Sequence, residues 1–170
     1  MDEKLQTTIE VLVERFGAEV RDFSAETSLM VDPEHIVEVC KSLHDEFNFD
    51  MLSDMTVVDY WPAQDPRFHV VYHLYSIPTG MHIGLRVPVP GTEPTVPTLE
   101  SVYYNANWHE REIWDMFGIH IEGHSDLRRI LMPFDWEGHP LRKDYPLGYE
   151  EVQFSFNFDE IENCKPYAKE

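Results

Sequence analysis

Residues 68–89 read Phe68-His-Val-Val-Tyr-His-Leu-Tyr-Ser-Ile77, then Pro78-Thr-Gly80, then Met81-His-Ile-Gly-Leu-Arg-Val-Pro-Val89. The first segment is β-branched and aromatic throughout, as a strand buried on both faces would be. Pro-Thr-Gly supplies a reversal. In the third segment Met81, Ile83, Leu85, Val87 and Val89 alternate with His82, Gly84, Arg86 and Pro88. That period of two, with a proline near the end, predicts a half-solvated strand that is marginal or at an edge. Upstream, Val57 to Trp61 ends at Pro62, and Pro62-Ala-Gln-Asp-Pro66 is turn chemistry. Three strands joined by short turns make an antiparallel meander, and the proline-rich stretch 90–97 leads away from it.

Outward from the meander the periodicity changes to that of helices. Leu5, Ile9, Leu12 and Phe16 predict a first helix, with Gly17 as its stop and a short strand over Ala18 to Phe23. Asp32-Pro33 reads as a cap followed by proline at the first helical position. Ile36, Val37, Cys40, Leu43, His44 and Phe47 then form one stripe of a second helix. Thr98 is the expected cap of a long third helix running to Phe117, with Gly118 just past its end. Beyond Gly118, prolines, glycines and aromatics follow without sustained period. The expected fold is α+β, a compact domain over 1–118 and an extended irregular C-terminal arm over 119–170. That arm is expected to lie on this domain and on another protein.

The chain has 170 residues and a net charge of −19, with 42% apolar residues. One domain with a real core fits that length. No stretch approaches the roughly twenty apolar residues of a spanning helix. Met1-Asp2-Glu3-Lys4 lacks the build of a secretory signal. The expectation is a cytosolic chain that meets a membrane only through partners. A surface this acidic repels phosphate backbones, so nucleic acid is not an expected partner. Cys40 and Cys164 make neither a CxxC nor a zinc spacing, and two thiols are too few for an iron–sulfur cluster.

Projecting the third helix at about 100° per residue puts Leu99, Tyr103, Ala106, Ile113, Trp114 and Phe117 on one face. Glu110 falls at the centre of that stripe. A carboxylate in an apolar setting needs a partner. Arg128, Arg129 and Arg142 are the candidate cations, unless a displaced helix end leaves Glu110 in water. The opposite side carries Tyr104, Trp108, Arg111, Glu112 and Asp115. Tyr, Trp and Arg are enriched at interfaces, so Tyr104 and Trp108 are candidates to face a partner; rings lying flat on an amphipathic surface are the alternative.

Catalytic motifs are missing from the same region. His109-Glu110-Arg-Glu112 has no second His at position 113, so it is not the HExxH zinc helix. His69 and His73, four apart on a strand, stand about 13 Å apart. Glu110 and Glu112 point in different directions on a helix and cannot share one substrate atom. No GxSxG, P-loop or GxGxxG occurs.

The recognisable pattern is instead Glu110-Arg111-Glu112, two residues, Asp115-Met116-Phe117, six residues, His124, three residues, Arg128, one residue, Ile130-Leu131. It resembles the signature of the C subunit, or 30-kDa subunit family, of respiratory complex I, the proton-pumping NADH:quinone oxidoreductase. Arg129-Ile-Leu-Met-Pro133 and Gly138-His-Pro140-Leu141-Arg142-Lys143-Asp144-Tyr145-Pro146 are similar to the family's continuation, so the likeness spans 109–149. The resemblance implies a redox-silent member of the peripheral arm with no cofactor of its own. FMN, iron–sulfur clusters and quinone would sit in the parent complex. The implied partners are the hydrogenase-like D subunit, the B subunit with the cluster next to quinone, and the ferredoxin-like I subunit, on the cytoplasmic side of the bacterial inner membrane. Arg128, Arg129, Arg142 and Lys143 would then meet Glu110, Glu112, Asp115 or acidic groups on the hydrogenase-like partner. Two other readings compete. One is the equivalent subunit of a membrane-bound hydrogenase or plastoquinone-reducing complex. The other is a stand-alone metal-dependent enzyme using His120, Glu122 and His124.

Overall fold

The computed structural model describes residues 3–23 and 26–146. Helix α1 (Glu3–Phe16) ends at Gly17, whose φ of 66° is cheap only for glycine. It buries Ile9 and Leu12, with Leu5 and Phe16 packed at the margin. Helix α2 (Ile36–Asp45) buries Ile36, Cys40 and Leu43 as its stripe predicts, and Val39 besides. Its start is later than expected. Asp32 caps nothing with its side chain; its carbonyl accepts from the His35 N–H, so Asp32-Pro33 forms a turn ahead of the helix.

The meander is present as β3 (Met51–Asp59), β4 (Phe68–Tyr75) and β5 (His82–Val89), all antiparallel. Two further strands, β1 (Glu19–Phe23) and β2 (Glu26–Met30), form a hairpin. β2 then runs parallel to β5, giving the five-stranded order β1-β2-β5-β4-β3. β5 is therefore interior, against the expected edge. Its proline survives there because β2 pairs only as far as Arg86. The Arg86 carbonyl points at β2 and accepts from Val31. Pro88, two residues on, turns its missing donor to the same side, where β2 has already ended.

One face of this sheet is the core. Leu29, Leu52, Val57, Phe68, Val70, Tyr72, Leu74, Ile83, Leu85, Val87 and Val89 pack there with the helices. Each such aliphatic or aromatic side chain stabilises the fold by about 1.5–3 kcal/mol. The third helix is shorter than its sequence pattern. Residues 98–105 make successive turns, with Thr98 Oγ1 accepting from the Glu100 N–H, and α3 spans Ala106–Phe117. Leu99 and Tyr103 are nevertheless buried with Ala106 and Ile113, because the turns keep the same side inward. The order of the next two elements follows from this. β6 (Thr95–Pro97) precedes those turns, and the arm leaves α3 as β7 (His120–Glu122), parallel to β6. Ile119 and Ile121 are core residues, so the irregular course begins after β7 rather than at 119. The expected arm beyond residue 146, with Cys164, lies outside the described residues.

Candidate functional site

The signature residues converge where the arm folds back over α3. Asp115, completely buried, is the hub. Its Oδ1 takes Arg129 Nη1 at 2.5 Å. Its Oδ2 accepts three consecutive backbone N–H groups, from Ile130 at 3.0 Å, Leu131 at 2.8 Å and Met132 at 2.9 Å. Burial opposes ionisation of Asp115, but these donors outweigh it and hold the carboxyl below the usual aspartate range. Arg129 continues to the carbonyls of Trp136 and Gly138 at 2.7 and 3.1 Å. Arg111, also buried, donates from Nε to the Arg128 carbonyl and from Nη2 to the Arg129 carbonyl. Further along, the Leu141 N–H meets the Met116 carbonyl, and Arg142 Nε meets the Phe117 carbonyl. The carbonyls that α3 leaves unpaired at its end are thus occupied by the arm. Gly118 is required at that crossing. Its φ is 70°, and a Cβ there would lie 2.5 Å from the His139 ring.

A second anchor joins the arm to the sheet. Arg67 pairs with both oxygens of Asp59 at 3.0 Å each, and with both oxygens of Asp144 at 3.0 and 2.6 Å. Asp59 also accepts from the N–H groups of Trp61 and Lys143. The Arg67 guanidinium stacks at 4.7 Å on the rings of both Trp61 and Phe68. The hydrogen bonds Arg67 donates to Asp144 and Asp59 raise its pKa further, and Arg67 in turn lowers that of Asp144. Asp59 and Arg67 are not among the residues the sequence singles out. The available signal is a charge inside the apolar run Val57-Val-Asp-Tyr-Trp61, and an arginine abutting a strand buried on both faces.

Glu110 is fully buried, as the helical projection predicts, but no arginine reaches it. Its Oε1 accepts the Leu99 N–H at 2.6 Å and its Oε2 accepts the Thr98 hydroxyl at 2.7 Å. The nearest cationic candidate is His124 Nε2 at 3.9 Å. Of the three arginines expected there, Arg128 pairs with Asp126 at the surface, Arg129 with Asp115, and Arg142 with carbonyls. Those neutral donors only partly offset burial, which pushes the Glu110 carboxyl upward.

A pH prediction follows from the opposite signs. Asp115, Asp59 and Asp144 hold their protons less tightly folded than unfolded. Their contribution is present above the ordinary aspartate value of about 3.9 and is lost as pH falls through their lower values. Glu110 holds its proton more tightly when folded, so stability is lost as pH rises from about 4.3 through its higher value. Glu110→Gln keeps an acceptor for Leu99 and a partner for Thr98 while removing that titration. Urea midpoints from acid to neutral pH are expected to show the variant gaining on the parent as pH rises. A constant difference across the range would contradict it.

The side of α3 expected to face a partner divides. Arg111 and Asp115 are turned inward by the arm, whereas Glu112 is exposed, as the projection predicts. Tyr104 is 94% exposed and Trp108 60%, the latter with Arg111 5.3 Å from its ring. On the arm, Phe134 is 94% exposed, and Leu131 and Leu141 are also open. Phe134 carries no signal in the sequence that separates it from the other arm aromatics. His124 is buried against α3, where Nε2 meets the Asn107 carbonyl and Nδ1 accepts from Asp126. His120 and Glu122 are exposed on β7, so the proposed His120, Glu122 and His124 ligand set does not assemble. Among the described residues no three His, Cys, Asp or Glu side chains are placed to hold a metal ion. No helix of the described residues is long and apolar enough to cross a membrane.

The family model of the respiratory-chain NADH dehydrogenase 30 Kd subunit matches residues 29–151. The chain is 52% identical over 151 residues to the C subunit of NADH-quinone oxidoreductase from Roseiflexus sp. (strain RS-1), covering 88% of this chain and 86% of the relative. It is 45% identical over 139 residues to the protein of the same name from Geobacter sulfurreducens, covering 80% of this chain and 86% of the relative. Among solved structures, the trypsin-resistant fragment of Nqo5 superimposes with a TM-score of 0.65 at 32% identity, over 73% of this chain and 99% of that chain. A chain of the membrane-bound sulfane sulfur reductase, an archaeal respiratory membrane complex, gives a TM-score of 0.74 at 21% identity, over 99% of this chain and 97% of that chain. At that identity the likeness is one of fold.

Proposed function

The chain belongs to the 30-kDa subunit family of respiratory-chain NADH dehydrogenase and is a subunit of an NADH-quinone oxidoreductase; on that premise we propose that its task is to grip neighbouring subunits. The body to residue 118 is the base, and the arm from 119 onward is the grip. The partners are the hydrogenase-like subunit and the subunit holding the cluster next to quinone, with the ferredoxin-like subunit beside them. The assembly lies on the cytoplasmic side of the bacterial inner membrane. FMN, clusters and quinone belong to other subunits, and this chain contributes by keeping electron carriers at fixed separations.

One observation carries this reading. Leu131, Phe134 and Leu141 are left open to solvent on an arm whose backbone Asp115, Arg111, Arg129 and Arg142 tie to α3, and Tyr104 and Trp108 are open at the start of that helix. Large apolar side chains on a preorganised backbone lose little entropy when covered, which is the economy of an interface. Buried aromatic anchors dominate such interfaces.

The test is Trp108→Ser with Phe134→Ser. Both rings are exposed, so the isolated chain is expected to keep its thermal midpoint. Co-purification of the hydrogenase-like subunit is expected to fall by at least about tenfold, the loss of one anchor residue at an interface. Undiminished capture of that partner would remove the reading.

A further inference from the structure

The face of the five-stranded sheet opposite the core has no helix of the described residues on it. By register it presents Glu19 and Arg21 from β1, Ser28 and Met30 from β2, and Gly84, Arg86 and Pro88 from β5. β4 adds His69, Val71 and His73, and β3 adds Asp54, Thr56 and Val58. The arginines separate into two groups. Arg15, Arg67, Arg128 and Arg129 each pair with a carboxylate, and Arg111 and Arg142 are satisfied by backbone carbonyls. Arg21 and Arg86 have neither among the described residues. Arg86 makes one long contact, 3.4 Å to the Tyr60 hydroxyl.

These two guanidiniums lie on one face, and both act on the same side chain. His69 is buried on that face beside the Tyr60 ring, 4.8 Å away. Its Nδ1 is buried without a hydrogen-bond partner. Burial first, then the charges of Arg86 and Arg21, hold its imidazole below the ordinary histidine range. A groove of about 380 Å³ opens beside it, walled by Gly17, Arg21, Val31, Asp32, Pro66 and Pro88. Glu19 and Asp54 on this face, and Asp32 in the groove wall, form no ion pair with either guanidinium. In a chain of net charge −19 with 32 acidic residues, two arginines left without a carboxylate at one place are an unmet complement.

We propose that this face seats a carboxylate-bearing segment of a neighbouring subunit, its carboxylate received between Arg21 and Arg86 over His69. Two guanidiniums offer forked donors that match a carboxylate. The groove has room for a side chain, and half-buried Val58 and the exposed Tyr60 ring supply apolar cover for the rest of the segment. The occupant is a protein segment rather than a free anion because apolar surface, Val58 and the exposed Tyr60 ring, adjoins the arginines. The inference rests on membership of the complex, but it concerns a surface on the far side of the sheet from the α3–arm face.

The test uses the whole complex, purified through a tag on another subunit. Arg86→Lys and Arg21→Lys keep the charge and supply an amine that a zero-length carbodiimide joins to a carboxylate in contact. The expected product links position 86 or 21 to an Asp or Glu of another subunit, while exposed Lys41 on α2 serves as the reference lysine. In parallel, Arg21→Glu with Arg86→Glu is expected to lower retention of the chain in salt washes by about tenfold, with the free chain's thermal midpoint unchanged. Unchanged retention, with position 86 as reactive to acylation in the complex as in the free chain, would overturn the proposal. So would links only within this chain or to a second copy of it. If the parent chain itself did not co-purify, the reading of the α3–arm face would fail instead, and that is scored before any cross-linking.

Discussion

Asp115→Ala is expected to cost the folded chain about 3–5 kcal/mol, the usual loss when one partner of a buried ion pair is removed. The number is large because four donors lose their acceptor at once: the Arg129 guanidinium and the N–H groups of Ile130, Leu131 and Met132. Each buried donor left unsatisfied costs about 1–3 kcal/mol before relaxation, so the segment is expected to detach rather than remain in place. Two measurements separate detachment from general weakening. Urea unfolding reports the loss in stability, and limited trypsin digestion reports cleavage after Arg128 and Arg129, which Arg111 and Asp115 hold in the parent. Cleavage there is expected to accelerate far more than elsewhere. Asp115→Asn keeps one acceptor oxygen and is expected to fall between the two. Native-like trypsin resistance in the alanine variant would mean that the Arg111 and Arg142 contacts suffice to hold the arm.

That residue also shows what a sequence can convey. Its position on α3 and the neighbouring arm arginines are legible, and Arg129 does pair with it. The three backbone donors are not, because an N–H group belongs to every residue but proline and carries no sequence signal. Glu110 defeats a search for its partner for the same reason. The apolar stripe correctly places it inside, yet its partners are a hydroxyl and an amide rather than a cation. In the fold, the meander is readable from alternation and turn chemistry because its contacts are local. β2 is not, since Glu-Thr-Ser-Leu-Met has no strong pattern and its parallel partner β5 is remote in sequence, with Ser28 opposite Gly84. The three-residue strands β6 and β7 exist only because they find each other across α3.

The Arg67 network extends this to hydrogen bonds that join residues 59 and 67 to 143 and 144, far apart in sequence, and yields the second large effect. Arg67→Met leaves Asp59 buried with no cation and is expected to cost about 3–5 kcal/mol. Combining it with Asp59→Leu removes the stranded charge, and much of the stability is expected to return, as apolar replacements of buried ion pairs often permit. Partner capture is expected to behave differently. The double variant still lacks the two bonds that fix Asp144 and the one that fixes the Lys143 N–H. The stretch 139–146 then keeps its contacts to the end of α3 and the Arg142 guanidinium over the Phe68 ring, and the open face of the arm loses its hydrogen bonds to the sheet. A restored urea midpoint together with weakened capture of the hydrogenase-like subunit would assign the network to positioning the arm. Recovery of both together would assign it to stability alone, because an interface that depends on a preset backbone cannot regain its affinity from a repaired core.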